Sequence, residues 1–292
     1  MEPSLAVSEK PPRIYAVASG KGGTGKTTVS VHLAWLLAEL GAEVQYADCD
    51  VEEPNGHLFL KPTIEQSEAA SVLVPEIDAA RCTACGKCAE ACQFNAMAIL
   101  KTATVFPELC HACGACALAC PAGAIRETPR ATGRVETGHS GTVRFIQGRM
   151  NVGEPVAGPL IRAVKRGISP NAVALLDSPP GTACPVVATV RDADYVILVT
   201  EPTPFGLNDL RLAVELMRGL GRRCGVIINR ANSDSSVRNY CHAESLPILA
   251  EIPDSRAAAE AYSRGEPIPE CRQALGLLAR SILHGNPEEH CQ

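Results

Sequence analysis

Eight of the fourteen cysteines in this 292-residue chain fall in two runs, Cys82-Thr-Ala-Cys85-Gly-Lys-Cys88-Ala-Glu-Ala-Cys92 and Cys110-His-Ala-Cys113-Gly-Ala-Cys116-Ala-Leu-Ala-Cys120. Each is C-x2-C-x2-C-x3-C. That spacing lets three cysteines wrap one corner of a [4Fe–4S] cubane while a remote fourth closes it, the fourth cysteine of each run serving the other cluster. On this rule Cys82, Cys85, Cys88 and Cys120 hold one cluster, and Cys110, Cys113, Cys116 and Cys92 hold the other. The crossing obliges the two runs to interleave as pseudo-symmetric halves of one small unit. Zinc is the alternative occupant, since four-cysteine sites built from C-x2-C pairs bind it well. Zinc sites rarely show three cysteines in C-x2-C-x2-C followed by a fourth. His111 stands between two ligands of the second run, where it would shield or tune a cluster. Cys92 is followed by Gln93 and Cys120 by Pro121, a departure from strict repetition.

The rest of the chain has a different rhythm. Residues 13–19 are an apolar strand that runs into Gly20-Lys21-Gly22-Gly23-Thr24-Gly25-Lys26-Thr27-Thr28. Val29, Leu33, Leu36, Leu37 and Leu40 then recur at helical spacing, and Gly41 is a natural stop. A second strand from Ala42 to Ala47 leads to Asp48-Cys-Asp50. The loop satisfies G-x4-G-K-[ST] between a strand and a helix, the setting in which it cradles phosphates on backbone N–H groups and a helix N-terminus. Lys26 is placed for the β- and γ-phosphates and Thr27 for Mg²⁺. Asp48, Asp50 and Asp177 are candidate carboxylates at strand ends. Further apolar strands are expected at residues 172–176, 195–200, 224–228 and 246–251, with helices near 207–220 and 273–283. This alternation predicts an α/β fold with a mostly parallel sheet flanked by helices. The expected division is an ATPase domain from residues 1–61 and 131–292, with residues 62–130 as a cluster-bearing insertion.

Composition narrows the function classes. There are 27 basic against 32 acidic residues and no basic run, which argues against nucleic-acid binding. No apolar stretch approaches the roughly 18 residues of a membrane span. The segment starting Met1-Glu-Pro-Ser-Leu lacks the basic and apolar regions of a secretory signal, so a cytoplasmic location is expected, and cysteines are expected to bind metal rather than form disulfides.

Lys21-Gly-Gly-Thr-Gly-Lys26-Thr-Thr resembles the deviant Walker A motif of the MinD/ParA/Mrp ATPases, a family that includes the nitrogenase iron protein. The resemblance extends through Asp48-Cys-Asp-Val-Glu-Glu-Pro-Asn55, Asp177-Ser-Pro-Pro-Gly181-Thr-Ala-Cys184-Pro185, Asn229-Arg230 and Ile252-Pro253-Asp254. It implies an ATP- and Mg²⁺-dependent homodimer in which Lys21 reaches the partner's nucleotide. Asp50 would position or activate the attacking water, Asp48 and Asp177 would support Mg²⁺, and Ser178–Gly181 would sense the γ-phosphate. Asn229 and Arg230 match the adenine-recognition position, and Pro253 and Asp254 the family's C-terminal pattern. Together with the cysteine runs, the chain resembles the members that carry an inserted bacterial-type 2[4Fe–4S] ferredoxin-like domain. Cys184 lies where the iron protein places a ligand of its dimer-bridging cluster, which marks it as a possible shared metal site. The second cysteine that protein needs is absent from Asn151–Gly158.

Two functions follow. The first is a slow ATPase whose nucleotide state governs electron transfer to a redox partner, or assembly and delivery of a metallocluster on one; the C-terminal C-x-x-C usual in Mrp-type carriers is absent. The alternative is a MinD-like spatial regulator with redox-sensing clusters. A closing helix with one arginine, followed by an acidic tail, is a poor membrane anchor, so membrane association is not expected.

Overall fold

The computed structural model describes residues 14–289 and residue 291. Arg13, the segment beginning at Met1 and part of the acidic tail lie outside the described residues. In chain order the elements are β1 (Ile14–Ala18), α1 (Lys26–Glu39), β2 (Val44–Asp48), α2 (Gly56–Leu60), β3 (Thr63–Ile77), α3 (Lys87–Ala91), β4 (Met97–Ile99), β5 (Ala103–Val105), α4 (Ala115–Ala119), β6 (Ile125–Ser140) and β7 (Val143–Met150). They continue with α5 (Gly158–Arg166), β8 (Val173–Asp177), α6 (Cys184–Val190), β9 (Tyr195–Thr200), α7 (Pro204–Gly219), β10 (Cys224–Ala231), α8 (Ser236–Ala243), β11 (Ile248–Pro253), α9 (Arg256–Ser263) and α10 (Pro269–Leu283).

Nine strands form the main sheet in the order β11-β10-β9-β1-β8-β2-β7-β6-β3. From β11 to β7 all neighbours are parallel, and β6 and β3 add an antiparallel edge. The central strands β1, β2, β8 and β9 are buried along almost their whole length, as strands covered by helices on both faces must be. One apolar layer joins Tyr15, Leu33, Leu37, Tyr46, Phe145 and Leu175 to Leu275 and Leu278 of α10. The opposite layer joins Ala47, Ile146, Leu176 and Leu198 to Leu160 and Val164 of α5 and Val214 of α7.

The insertion is less separate than the sequence suggests. β3 and β6 belong to the same sheet, so the expected boundaries at 62 and 130 fall at the start of one strand and inside another. β3 pairs with β6 over its full length, from Thr63 opposite His139 to Ile77 opposite Ile125. β7 pairs with β6 only from Ser140 back to Gly133, which lies opposite Met150, the last residue of β7. The ribbon of β3 and β6 therefore runs on past the carboxyl edge of the parallel strands and carries residues 78–124 at its tip. That edge is also where α/β sheets place their ligand sites.

Candidate functional site

The carboxyl edge holds a cleft of about 470 Å³, within the range of small-molecule sites. Its phosphate end is lined by Gly22, Gly23, Gly25, Lys26, Thr27 and Thr28, with Asp50 and Asn55 beside them. Its other end is lined by Asn229, Arg230, Ile252, Pro253, Asp254, Tyr262, Ile268 and Cys271. The loop is fastened before any ligand arrives. Asn229 Nδ2 donates to the Thr24 carbonyl at 2.8 Å. Gly25 has φ +93°, and a Cβ there would lie 2.4 Å from Asn229 Nδ2, so glycine serves both the turn and this close approach. Asn229, expected to meet adenine, thus also tethers the phosphate loop.

Strand register brings the carboxylates together. Asp48 and Asp177 are neighbours across β2 and β8, and Val17 of β1 lies beside Asp177. Asp48 is fully buried and accepts three backbone N–H bonds, from Asp50 at 3.1 Å, Asn55 at 3.1 Å and Gly56 at 3.0 Å. Its carboxylate is therefore committed to shaping the Asp50–Gly56 loop. Asp177 Oδ2 accepts from the Tyr46 hydroxyl at 2.8 Å, while its Oδ1 is buried with no hydrogen-bond partner. A buried carboxylate oxygen left open is a natural cation ligand, and the Thr27 side chain approaches the same carboxyl. Burial and mutual repulsion push Asp48 well above the usual carboxylate range, and burial raises Asp177 as well. Asp50 is pushed up to about 6, by burial first and by Asp177 second, with Lys26 opposing. Burial lowers Lys26, and Asp177, Asp50 and Asp48 pull it back. A positive centre facing three carboxylates is what a phosphate–Mg²⁺ complex would complete.

The other segments close around this centre. Ser178 N–H donates to the Val17 carbonyl at 3.0 Å, and Gly181 N–H to the Ser19 carbonyl at 3.0 Å, which ties the 178–181 segment to the end of β1. Lys21 is half-buried and lies outside the cleft lining. Cys184 is exposed at the start of α6.

At the tip of the ribbon two small hollows separate the eight cysteines into two sets. One is bordered by Cys82, Cys85, Cys88 and Cys120, the other by Cys92, Cys110, Cys113 and Cys116. These are the crossed sets. The backbone repeats as the sequence does: Ala84 and Ala112 have φ +54° and +53°, Gly86 and Gly114 +84° and +75°, and Asn95 and Gly123 +54° and +55°. Such turns aim N–H groups at the sulfurs. Ala96 N–H points at Cys92 Sγ at 3.3 Å, Ala124 N–H at Cys120 Sγ at 3.3 Å, Ala112 N–H at Cys110 Sγ at 3.4 Å and Ala103 N–H at Cys82 Sγ at 3.5 Å. Among the described residues no group of three or more His, Cys, Asp or Glu side chains converges as a single metal ion requires. The sulfurs border the two hollows instead. The hollows differ in cover: His111 stacks on Phe94 at 3.7 Å and 5° beside the second, a pair with no counterpart among the residues bordering the first.

A family model for the CobQ/CobB/MinD/ParA nucleotide binding domain matches residues 15–268. The chain belongs to the CobQ/CobB/MinD/ParA family. An uncharacterized protein of Methanocaldococcus jannaschii is 32% identical over 82% of this chain and 85% of its own. The septum site-determining protein MinD of Pyrococcus horikoshii, solved with Mg-ADP, shares the fold with a TM-score of 0.58 at 20% identity, covering 92% of this chain and 95% of that one. An iron-sulfur cluster carrier protein of Bacillus subtilis is 58% identical over only 21% of this chain and 19% of its own. The CobQ/CobB/MinD/ParA fold thus accounts for the parallel sheet and for the cleft.

Gly22, Gly23, Gly25, Lys26, Thr27, Thr28, Asp50, Asn229, Arg230, Pro253 and Asp254 line this cleft. Motif reading reaches Ile252, through Ile252-Pro253-Asp254, and misses Tyr262, Ile268 and Cys271, which come from α9 and the start of α10 and belong to no signature. Arg230 is paired with Glu201 at 2.7 Å. Among the described residues no helix is long and apolar enough to cross a membrane.

Proposed function

We propose that this MinD/ParA-like ATPase is an iron–sulfur protein in which the nucleotide state of the cleft controls transfer of electrons to, or of a metallocluster onto, a partner protein. The observation that carries this reading is the continuous hydrogen bonding from the cleft to the ribbon. Asp48 holds the loop that follows it; Val51 in that loop accepts from Met150 N–H at 2.9 Å. Asn151 N–H donates to the Thr132 carbonyl at 2.9 Å, and its side chain to the Ala131 carbonyl at 3.1 Å. Both acceptors lie in β6, whose first residue follows Cys120 by five positions. These bonds give a change at Asp50 a route to β6, the strand that leads out of the cysteine-bearing segment.

Roles divide accordingly. Lys26 and the loop N–H groups grip the phosphates, Thr27 and Asp177 Oδ1 hold Mg²⁺, and Asp50 orients water at the γ-phosphate end. Two protomers close over ATP, with Lys21 reaching the partner's nucleotide and Cys184 meeting its twin across the dimer axis. The two crossed cysteine sets hold two [4Fe–4S] clusters, the N–H groups of Ala96, Ala103, Ala112 and Ala124 stabilising the thiolates. Bound clusters of this type supply one-electron carriage at potentials set by such hydrogen bonds. Residues 1–61 and 131–292 act as the nucleotide engine, and the insertion as its cargo or relay.

Anaerobic reconstitution followed by metal analysis and sizing tests this. The expected result is about eight iron atoms per chain, with ATP, and not ADP, shifting the protein to a dimer. Stoichiometric zinc without iron, or iron loading with no response to ATP in sizing or in cluster accessibility to chelator, would overturn it. Capture of a metallocofactor protein by the ATP-bound form then separates reductase from carrier, according to whether electrons or iron cross over.

A further inference from the structure

His32 lies on α1 one turn beyond Thr28, with 1% of its surface exposed, and both ring nitrogens are engaged. Nδ1 is 2.7 Å from the Thr28 carbonyl. Nε2 is 2.8 Å from the backbone nitrogen of Ile268, 236 positions away in sequence. The Ile268 N–H can only donate, so Nε2 must present its lone pair; Nδ1 then carries the hydrogen and donates to Thr28. One neutral tautomer satisfies both contacts. Burial and the Arg272 guanidinium both hold the imidazole below its ordinary range, the Thr28 carbonyl opposing them. The ring is also held edge-on against Trp35, at 5.1 Å and 77°.

The two partners border the cleft from separate segments of the chain. Thr28 lines the phosphate end, while Ile268, which caps α10, lines the apolar end together with Cys271. The sheet does not join these ends directly: Ile268 comes from the connection between α9 and α10, outside any strand. The His32 ring joins this connection to the helix that starts at the phosphate loop.

We propose that His32 is a positioning residue that sets the separation between the phosphate grip and the nucleobase wall, and so gives the cleft its preference for a nucleotide over its phosphate chain alone. This rests on the reading of the cleft as a nucleotide site. The ring lies behind the residues that line the cleft and acts through Ile268. Without its acceptor the Ile268 N–H is buried and unpaired, which favours outward movement of the wall, while the loop from Gly20 to Thr28 keeps its own tether to Asn229.

The test compares binding of ATP and of inorganic tripolyphosphate to the full chain by calorimetry, for the unaltered protein, His32→Leu and His32→Gln. Leucine fills the space and removes the acceptor; a glutamine carbonyl can reach the Ile268 N–H. The expected outcome is ATP binding weakened about tenfold in His32→Leu, tripolyphosphate binding unchanged, and ATP binding largely restored in His32→Gln. If His32→Leu does not fold, as judged by circular dichroism, His32→Asn carries the same comparison, since it keeps the Thr28 bond and falls short of Ile268. Equal losses for ATP and tripolyphosphate, or no loss of ATP binding, would overturn the proposal and leave the nucleotide site intact. An unaltered protein that binds tripolyphosphate no worse than ATP would overturn it too. Binding of neither ligand would remove the nucleotide reading and this proposal together.

Discussion

At the nucleotide cleft, each element that carries a site residue packs into one of two broad apolar layers. In the cysteine module the buried core is Cys88, Met97, Ala103 and Cys116 on one side and Val74, Ala96 and Cys110 on the other. Three of those seven residues are themselves candidate ligands. The helices α3 and α4 have five residues each, too few to be stable alone. The cleft is thus shaped by the chain's own packing and hydrogen bonds, through the Asn229 tether, the Asp48 cradle and the Ser178 and Gly181 bonds. The module has the donors and the turns but little apolar surface to bury, so on the proposed reading much of its folding energy would come from bound clusters. A stable frame and a ligand-dependent tip meet at the ribbon of β3 and β6.

Withdrawing metal tests that contrast most severely. Anaerobic chelation of the reconstituted protein, followed by amide exchange, is expected to cut protection across α3, α4 and the β4–β5 pair by at least about a hundredfold. Protection in β1, β8 and β9 and affinity for ATP are expected to hold. Uniform loss across the sheet would show one cooperative unit and erase the distinction.

The reverse experiment attacks the cleft. Lys26→Ala removes the cation that faces three carboxylates and is expected to lower ATP turnover by about a hundredfold or more. Iron content is expected to stay unchanged, because no cysteine ligand depends on the cleft for its fold. Loss of iron in this variant would mean that the tip does need the frame's charge balance.

Asp50 gives a pH-dependent version of the same test. Its folded-state value of about 6 lies above the ordinary 3.8, so the folded chain binds the proton more tightly than the unfolded one. The stability that this carboxyl contributes is full below about pH 4, falls as pH rises through 6, and is level above that. Asp50→Asn is therefore expected to melt higher than the unaltered protein at pH 7.5 and together with it at pH 3.8, a difference of about 1 kcal/mol once solvent screening is allowed for. Turnover is expected to move the other way, falling at pH 7.5 because the water-orienting carboxylate is gone. Equal melting at both pH values would place Asp50 in open solvent rather than in the cleft.

Much of this is legible in the sequence for physical reasons that can be named. The phosphate loop sits between a fully apolar strand and an apolar-faced helix, and a buried parallel strand advertises itself as a continuous hydrophobic run. The crossed cysteine sets follow from ligand spacing alone. β3, by contrast, escapes a reading by pattern because Thr63–Ala69 is exposed on both faces and shows no alternation. It is held by main-chain pairing with β6, to which residue type contributes little. β7 escapes it although it is buried, because Gly148 interrupts its pattern; a Cβ there would lie 2.5 Å from Val51 Cγ1. That Asp48 also accepts three backbone N–H groups cannot be read from the motif, because it depends on how the Asp50–Gly56 loop folds back. The apolar end of the cleft needs Ile252 and Ile268 brought together, and spacing carries no such information.

The smallest expected effect is the most discriminating, because it concerns the joint between the two regions. At the exit of β7 the Asn151 side chain bonds to the ribbon, at the Ala131 carbonyl, and its amide is solvent-accessible. Asn151→Ala should cost only about 0.5–1 kcal/mol of stability, leaving iron content and ATP affinity as they are. The backbone bond from Asn151 to Thr132 and that from Met150 to Val51 would remain, but the strand exit would be held at one point instead of two. A lever pinned at one point transmits less rotation. The expected signature is an ATP-induced change in amide exchange over residues 125–132 that is present in the unaltered protein and reduced in the variant, while the change at Val51 persists. An identical response in both proteins would show that the side-chain bond carries none of the coupling, which would then pass through the β6–β7 ladder and the Asn151–Thr132 backbone bond.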